Sequence, residues 1–326
     1  MKKPTKAQKR GGKKKQYKVR NWREYNQSLV DRGSIAFWIT DEALRQWQER
    51  KKTGKRGKPQ LYSNLAIETA LTIREVFHLP LRQAEGFLRS ILRKMGSGKK
   101  APDYSTLSIR AATLAVAIRV RAIRNEPIHI VVDSTGAKVY GEGEWKVRQH
   151  GWSKRRTWKK LHLGIDEKTG DILLGAVTSN STADCEMLKP LLDQAPAGTA
   201  IDQVSADGAF DRRMCYDALR KRRVKHIVIP PQRNARIWQH GNSRALRIPR
   251  DANLRRIREV GRAKWKEENG YHRRILAETT MFRLKTIFTD KARARKEALQ
   301  RVELLLRVKA LNRMTTLGMP DSYIVA

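Results

Sequence analysis

From about Asn21 to Arg124 the apolar residues recur every three and four positions, the spacing of helices that bury one face. Asp41-Glu42-Ala43-Leu44-Arg45 opens with a helix-capping residue type, and Tyr62-Ser63 precedes a second apolar-periodic stretch from Asn64 to Ile73. Leu81 to Met95 predicts another helix, halted by Gly96-Ser97-Gly98. Beyond Pro102, Asp103 and Ser105 are placed to cap a further helix from Thr106 to Leu114. With Ser105, Thr106, Ser108 and Arg110 near its start, that helix suits insertion into a DNA major groove. The loop before it, Gly96 to Asp103, is longer than the usual three or four residues of a helix-turn-helix, so a plain helical packing domain fits the same spacing.

At residue 126 the period changes. Ile128-His129-Ile130-Val131-Val132-Asp133 is a nearly continuous apolar run that reaches a carboxylate and then Gly136. A strand buried on both faces, delivering an acid to the rim of a sheet, reads this way. Lys160 to Ile165 and Ile172 to Thr178 predict a hairpin around Gly170, in whose turn Asp166 and Asp171 fall. Ala183 to Asp193 is helical. Gln203 to Asp207 is a second short strand ending in an acid and a glycine, followed by a helix over Asp211 to Arg222 and a strand over Val224 to Pro230. Residues 232–268 are basic and poorly periodic, an insertion on this reading. One helix spans Tyr271 to Lys285, and a last one, about Ala292 to Met314, carries Leu299, Val302, Leu305, Leu306 and Leu311 to cover the core.

The alternation of strands and helices predicts an α/β fold with a mixed sheet, preceded by an all-α domain. Four segments follow: a disordered basic arm (1–20), a helical domain (21–125), the sheet-bearing core (126–290), and a C-terminal helix and tail (291–326). The arm holds ten Lys or Arg and no acid. The whole chain sets 70 Lys and Arg against 32 Asp and Glu, a formal charge of +38. Such an excess concerns partners, not fold, and nucleic acid leads because phosphate contacts release counterions. No apolar run is long enough to span a membrane and no signal-peptide start is present, so no membrane partner is expected. Two cysteines, Cys185 and Cys215, exclude a disulfide framework and fit reduced core residues.

The chemistry concentrates near the C-terminal end. On a helix at roughly 100° per residue, Tyr271, Arg274, Glu278 and Lys285 share an arc of roughly 60°. One carboxylate is thereby set among a phenol, a guanidinium and an ammonium, where a solvated face would show spaced charge pairs. Adjacent parallel strands place Asp133 and Asp207 side by side at their C-terminal ends. With Glu278 they form three clustered carboxylates that repel unless a cation neutralises them, and hard oxygen donors suit Mg²⁺ or Mn²⁺. Two such ions support in-line phosphoryl transfer without a general-base histidine. His162 and His226, within strands, read as packing or surface residues. Asp184 and Glu186 sit at a helix start where the dipole favours acids. Trp238 and Trp265 lie in the basic segment, where stacking on an unpaired base is the sharper alternative to packing.

Val132-Asp133-Ser134-Thr135-Gly136, Ala206-Asp207-Gly208-Ala209 and Tyr271-x2-Arg274-x3-Glu278-x6-Lys285 resemble the three catalytic regions of the DDE transposases of bacterial insertion sequences. The last matches the Tyr–Arg–Glu–Lys signature of one large branch at all four positions. Asn21-Trp22-Arg23-Glu24-Tyr25-Asn26 and Gly143-Glu144-Trp145-Lys146-Val147-Arg148 extend the likeness. The resemblance implies a ribonuclease-H-like core, recognition of terminal inverted repeats, end cleavage, and joining of the freed 3′ hydroxyls to target DNA. It implies Asp133, Asp207 and Glu278 as ligands of two Mg²⁺ (or Mn²⁺) ions, with Tyr271, Arg274 and Lys285 on the DNA near the cleaved phosphate. It further implies double-stranded DNA as partner (element ends and target), a homodimer or higher assembly on DNA, and a cytoplasmic, nucleoid-associated location in a bacterium. Members of the branch with a large β insertion between Asp207 and Glu278 use it in hairpin formation, and the segment here is short, about seventy residues, which argues against a hairpin route of cleavage. A nuclease without strand transfer and a non-enzymatic DNA-binding derivative are the rival functions.

Overall fold

A computed structural model describes residues 16–49, 59–118, 126–139, 158–196, 198–239 and 248–325. Most of the basic arm, Gly143 to Arg148 and the stretch 240–247 lie outside the described residues. Six helices come first: α1 (Trp22–Asp31), α2 (Ile35–Trp38), α3 (Asp41–Arg45), α4 (Asn64–Val76), α5 (Leu81–Lys94) and α6 (Tyr104–Ala111). Their starts follow from capping chemistry. Ser63 accepts from the Ala66 amide at 3.1 Å and Asp103 from the Thr106 amide at 2.7 Å. Thr40 (not Asp41) caps α3, taking the Ala43 amide at 3.2 Å. The C-terminal half then supplies β2 (Ile128–Val139), β3 (Trp158–Asp166), β4 (Ile172–Ser179), α7 (Leu188–Leu192), β5 (Ile201–Ser205), α8 (Arg213–Lys221), β6 (His226–Val228), α9 (Pro249–Glu268), α10 (Ile275–Phe288), β7 (Lys291–Ala292) and α11 (Glu297–Leu317).

The main sheet runs β4-β3-β2-β5-β6, with β7 added beside β2. The β3 strand is antiparallel to β2 and β4, while β2, β5 and β6 are mutually parallel. The unbroken apolar run of β2 has a simple cause: both faces are covered. Ile128, Ile130 and Val132 pack with Leu188, Leu191, Tyr216 and Leu219 of α7 and α8. Val131, from the alternate position, joins Leu161, Leu163 and Ile165 against α4, α10 and α11.

That second core crosses the expected domain limits. Trp38, Trp47, Ile67, Ile73, Leu88 and Leu107 of the N-terminal helices share one apolar cluster with the sheet residue Leu163, with Met281 of α10 and with Leu306 and Leu311 of α11. The helical segment and the C-terminal helix thus pack on the sheet through one shared apolar cluster. A buried ion network reinforces this joint. Arg307 donates to Glu75 at 2.9 Å and also pairs with Glu303, and all three side chains are nearly inaccessible.

Two segments differ from their sequence-based readings. The last part of the basic arm is ordered: β1 (Gln16–Val19) pairs antiparallel with β8 (Ser322–Val325), which brings the two ends of the described chain together. The segment 232–268 ends in a long helix, α9, hidden from periodicity because Gly261 at φ 83° interrupts it and its buried face includes Arg250 and Asp251.

Candidate active site

Asp133 lies within a strand, six residues short of its end, because β3 keeps pairing with β2 as far as Lys138. On the other side the parallel partner stops: Val131 is matched with Ser205, the last residue of β5. Continuing that register two residues sets Asp133 level with Asp207, so the first acid is at a lip only on the β5 side. Asp207 caps a short 3-10 turn, Gly208–Phe210, accepting from the Ala209 amide at 2.9 Å. Glu278 stands in the first turn of α10, with its side chain 56% exposed. The helix is docked by Ala277, Met281, Leu284 and Phe288, which bury into the same core as Val131.

Tyr271 to Arg274 form a 3-10 turn ahead of α10, so the single helix drawn through Tyr271 and Lys285 is in fact two pieces. Gly270, at φ 59°, makes the reversal from α9 into this turn. Arg274 then reaches two acids at once: one terminal nitrogen donates to Asp133 Oδ2 at 2.7 Å, the other to Glu278 Oε1 at 2.7 Å. Its carbon centre also lies 5.9 Å from the Tyr271 ring. The Tyr271 ring is backed by Trp265 at 6.2 Å and by the Lys266 ammonium at 5.1 Å. Lys285, half-buried on α10, has no carboxylate within ion-pair distance among the described residues.

The electrostatics bind these groups into one site. Burial pushes the Asp133 carboxyl above its ordinary range, and the charges of Asp207 and Glu278 push the same way. The Ser134 amide, 2.9 Å from Asp133 Oδ1, and Arg274 oppose that rise. Burial likewise raises the Tyr271 phenol, Arg274 pulls it back, and Asp207 and Asp133 raise it further. Burial alone would lower Arg274, yet Asp133, Tyr271 and Glu278 hold its pKa above the ordinary value. Every group expected at the site except Lys285 is therefore linked to the others.

The donor set fits a divalent cation chemically: three carboxylates, one of them pushed upward by burial first and by the other two in addition, favour a positive charge among them. In this arrangement the Arg274 guanidinium supplies it. Among the described residues no three acids or histidines converge closely enough to hold an ion as they stand.

Other candidates fall away from the site. Trp265 is completely buried, so it cannot receive a base; its work is to back Tyr271. The Trp238 ring is covered by the Arg250 guanidinium at 3.8 Å and meets Tyr216 edge-on at 5.7 Å. Arg250 is itself fixed by buried Asp211 at 2.6 Å. Both tryptophans pack. His162 is buried in a hydrogen bond with Thr178 at 2.8 Å, while His226 is exposed. Sequence reasoning missed Trp265 as a support and Ser134 as an amide donor; the Trp-x5-Tyr spacing across Gly270 was the only available signal for the first.

Two family models match the chain, each described as a transposase DDE domain, one over residues 30–142 and one over residues 124–313. The second alone spans more than half of the sequence. The chain belongs to the DDE transposase family. A solved Drosophila P element transposase strand transfer complex aligns at 13% identity and a TM-score of 0.28, covering 56% of this chain. The chain spans less than half of that protein, 42%, and at such a score the likeness adds nothing to the assignment. None of its described helices is long and apolar enough to cross a membrane.

Proposed function

We propose that this transposase binds the terminal inverted repeats of a bacterial insertion sequence, cleaves the ends and joins the freed 3′ hydroxyls to target DNA. The observation that carries the reading is the coupling of Asp133, Asp207 and Glu278 around Arg274, on a chain of charge +38. Asp133, Asp207 and Glu278 are the oxygen donors for two Mg²⁺ or Mn²⁺ ions, whose chemistry is to polarise the scissile phosphate and stabilise the leaving oxygen. Arg274 is the residue best placed to turn from the acids to the transferring phosphate, with Tyr271 orienting it and Lys285 on the same helix toward the strand. The sheet order β4-β3-β2-β5-β6, with β3 alone reversed, supports a ribonuclease-H-like core. A homodimer or larger assembly on two DNA ends, in the bacterial cytoplasm beside the nucleoid, belongs to the same reading.

The proposed reader helix needs amendment in detail. The hydroxyls of Ser105 and Thr106 are held by Asp103 at 2.6 and 3.0 Å, and Arg110 is engaged by the Tyr62 carbonyl and Asn64 at 2.8 and 2.7 Å. What α6 turns outward is Tyr104, Ser105 and Ile109, so end recognition by this helix would draw on apolar contact and on the Ser105 oxygen as well as on neighbouring cations. The test is joining of a pre-cut duplex, made from the DNA bordering the protein's own reading frame, to a plasmid with Mg²⁺. Asp133→Asn, Asp207→Asn and Glu278→Gln should each abolish joining and cleavage while end binding persists. Robust joining by any one of them would overturn the assignment, and cutting without joining by the parent chain would favour a nuclease.

A further inference from the structure

Glu278 has unusual neighbours on its exposed side. The outward positions of α10 are Ile275, Glu278, Thr279, Phe282 and Thr286. Phe282 is 69% and Ile275 65% exposed, and no Phe, Tyr or Trp among the described residues is more exposed than Phe282. At roughly 100° per residue, Lys285 lies about 20° to one side of Glu278, and Phe282 and Ile275 about 40° and 60° to the other. The inward face is already filled by Ala277, Met281, Leu284 and Phe288, so Phe282 has no place in the core. The carboxylate thus divides a helix face into a cationic half, with Arg274 and Lys285, and an uncharged half in which Phe282 and Ile275 lie nearest the carboxylate and Thr286 and Thr279 beyond them.

We infer that Phe282, with Ile275 about two turns away, is a platform on which an unpaired nucleobase next to the reacting phosphate stacks. This rests on the function proposed above. A ligand that fits both halves must carry anionic charge and flat apolar faces within one residue's length, as a nucleotide does. A second copy of the chain is disfavoured by charge, since each copy brings +38 to a face already bordered by Arg274 and Lys285. Stacking on an exposed ring accepts any base, so the platform serves to hold a strand open and not to read sequence. Phe282 is a positioning residue: it fixes the nucleotide beside the phosphate that the acids act on.

The experiment compares full-length parent chain with Phe282→Ala, Phe282→Leu and Phe282→Trp. Binding is measured, with Ca²⁺ replacing Mg²⁺, to one duplex that is fully paired and to the same duplex with its last three pairs mismatched and 2-aminopurine at an unpaired position. The parent should prefer the mismatched end and quench the 2-aminopurine. Phe282→Ala should lower that preference about tenfold and abolish the quenching, Phe282→Trp should keep both, and Phe282→Leu should lose the quenching. An unchanged preference in Phe282→Ala overturns the platform, as does a loss of self-association in sedimentation with the preference intact. The two readings fail separately. A parent chain that cuts and joins DNA but shows no preference for the open end retains its function and loses the platform. A parent chain with no Mg²⁺-dependent cutting loses both.

Discussion

Arg274 and Asp133 are 141 residues apart in sequence and meet at 2.7 Å. The same guanidinium holds Glu278 at 2.7 Å, so the contact joins the central strand to the helix that brings the third acid. Arg274 is therefore the counter-ion of Asp133 and Glu278, and on the function proposed above a divalent ion would compete with it for Asp133.

Replacing Arg274 with Gln should separate these two tasks. The freed carboxylates should bind Mn²⁺ more tightly, on the order of tenfold, which corresponds to roughly 1.4 kcal/mol of charge interaction. Joining should nevertheless slow by about 100-fold, the usual loss when one donor to a developing phosphoryl charge is removed. Titration calorimetry with Mn²⁺ and a strand-transfer assay on the same variant check both halves. Weaker Mn²⁺ binding in Arg274→Gln would show that the guanidinium organises the acids and does not compete for them.

Arg307 offers a test of the fold that is remote from the chemistry. It lies between Glu75 and Glu303, and it also donates to the Lys291 carbonyl at 2.9 Å. Burial and the charge of Glu75 already push the Glu303 carboxyl upward, with Arg307 opposing. Glu75 keeps Arg74 at 2.8 Å and Arg293 at 3.2 Å, so Arg307→Ala strands Glu303 and should cost about 3 kcal/mol in urea unfolding. The double replacement Glu303→Gln, Arg307→Met should cost much less, since it removes the buried pair together and leaves Glu75 with Arg74 and Arg293. Equal losses would mean that the residues matter by shape alone.

The sequence showed most clearly what is local. The period shift at residue 126, the hairpin around Gly170, the Ser63 and Asp103 caps and the acids 133, 207 and 278 could all be read from spacing and residue type. Long-range packing was hidden. Nothing in residues 21–125 announces that Ile67 and Leu107 meet Leu163 and Leu311, because a helix face has the same pattern whatever covers it. Charged residues misled for a related reason: Arg250 and Asp251 are almost fully buried, so the buried face of α9 did not look apolar. The role of Arg274 was half visible. Its four-residue spacing from Glu278 is local, while its reach to Asp133 depends on how α10 docks on the sheet.

The shared core has a consequence for dissection. Residues 21–125 expressed alone would expose the apolar surface of α4 that packs on α10 and α11 within the shared cluster. That fragment should retain helical signal but unfold without a cooperative transition and bind an apolar dye. The full chain should melt in one step that includes the helices. A fragment melting sharply by itself would restore an independent N-terminal domain.

The last expectation concerns acid. His162 is buried on β3, its Nε2 sharing a hydrogen bond with Thr178 Oγ1 at 2.8 Å. Burial lowers its pKa, the nearby Lys160 ammonium adds to that, and Asp184, with Oδ1 3.8 Å from Nδ1, opposes. A base depressed by folding takes its proton first in the unfolded chain. Its stabilising effect is therefore full above the unfolded value, about 6.5, and declines as pH falls below it toward the folded value. His129 is also lowered, by burial first and by Arg273, so it contributes with the same sign. Urea unfolding at a series of pH values from 7.5 down to 5.5 should show falling stability, with a shallower slope in His162→Gln than in the parent. His162→Gln keeps a group able to bond Thr178, so a uniform loss of stability with an unchanged slope would locate the proton uptake at another residue.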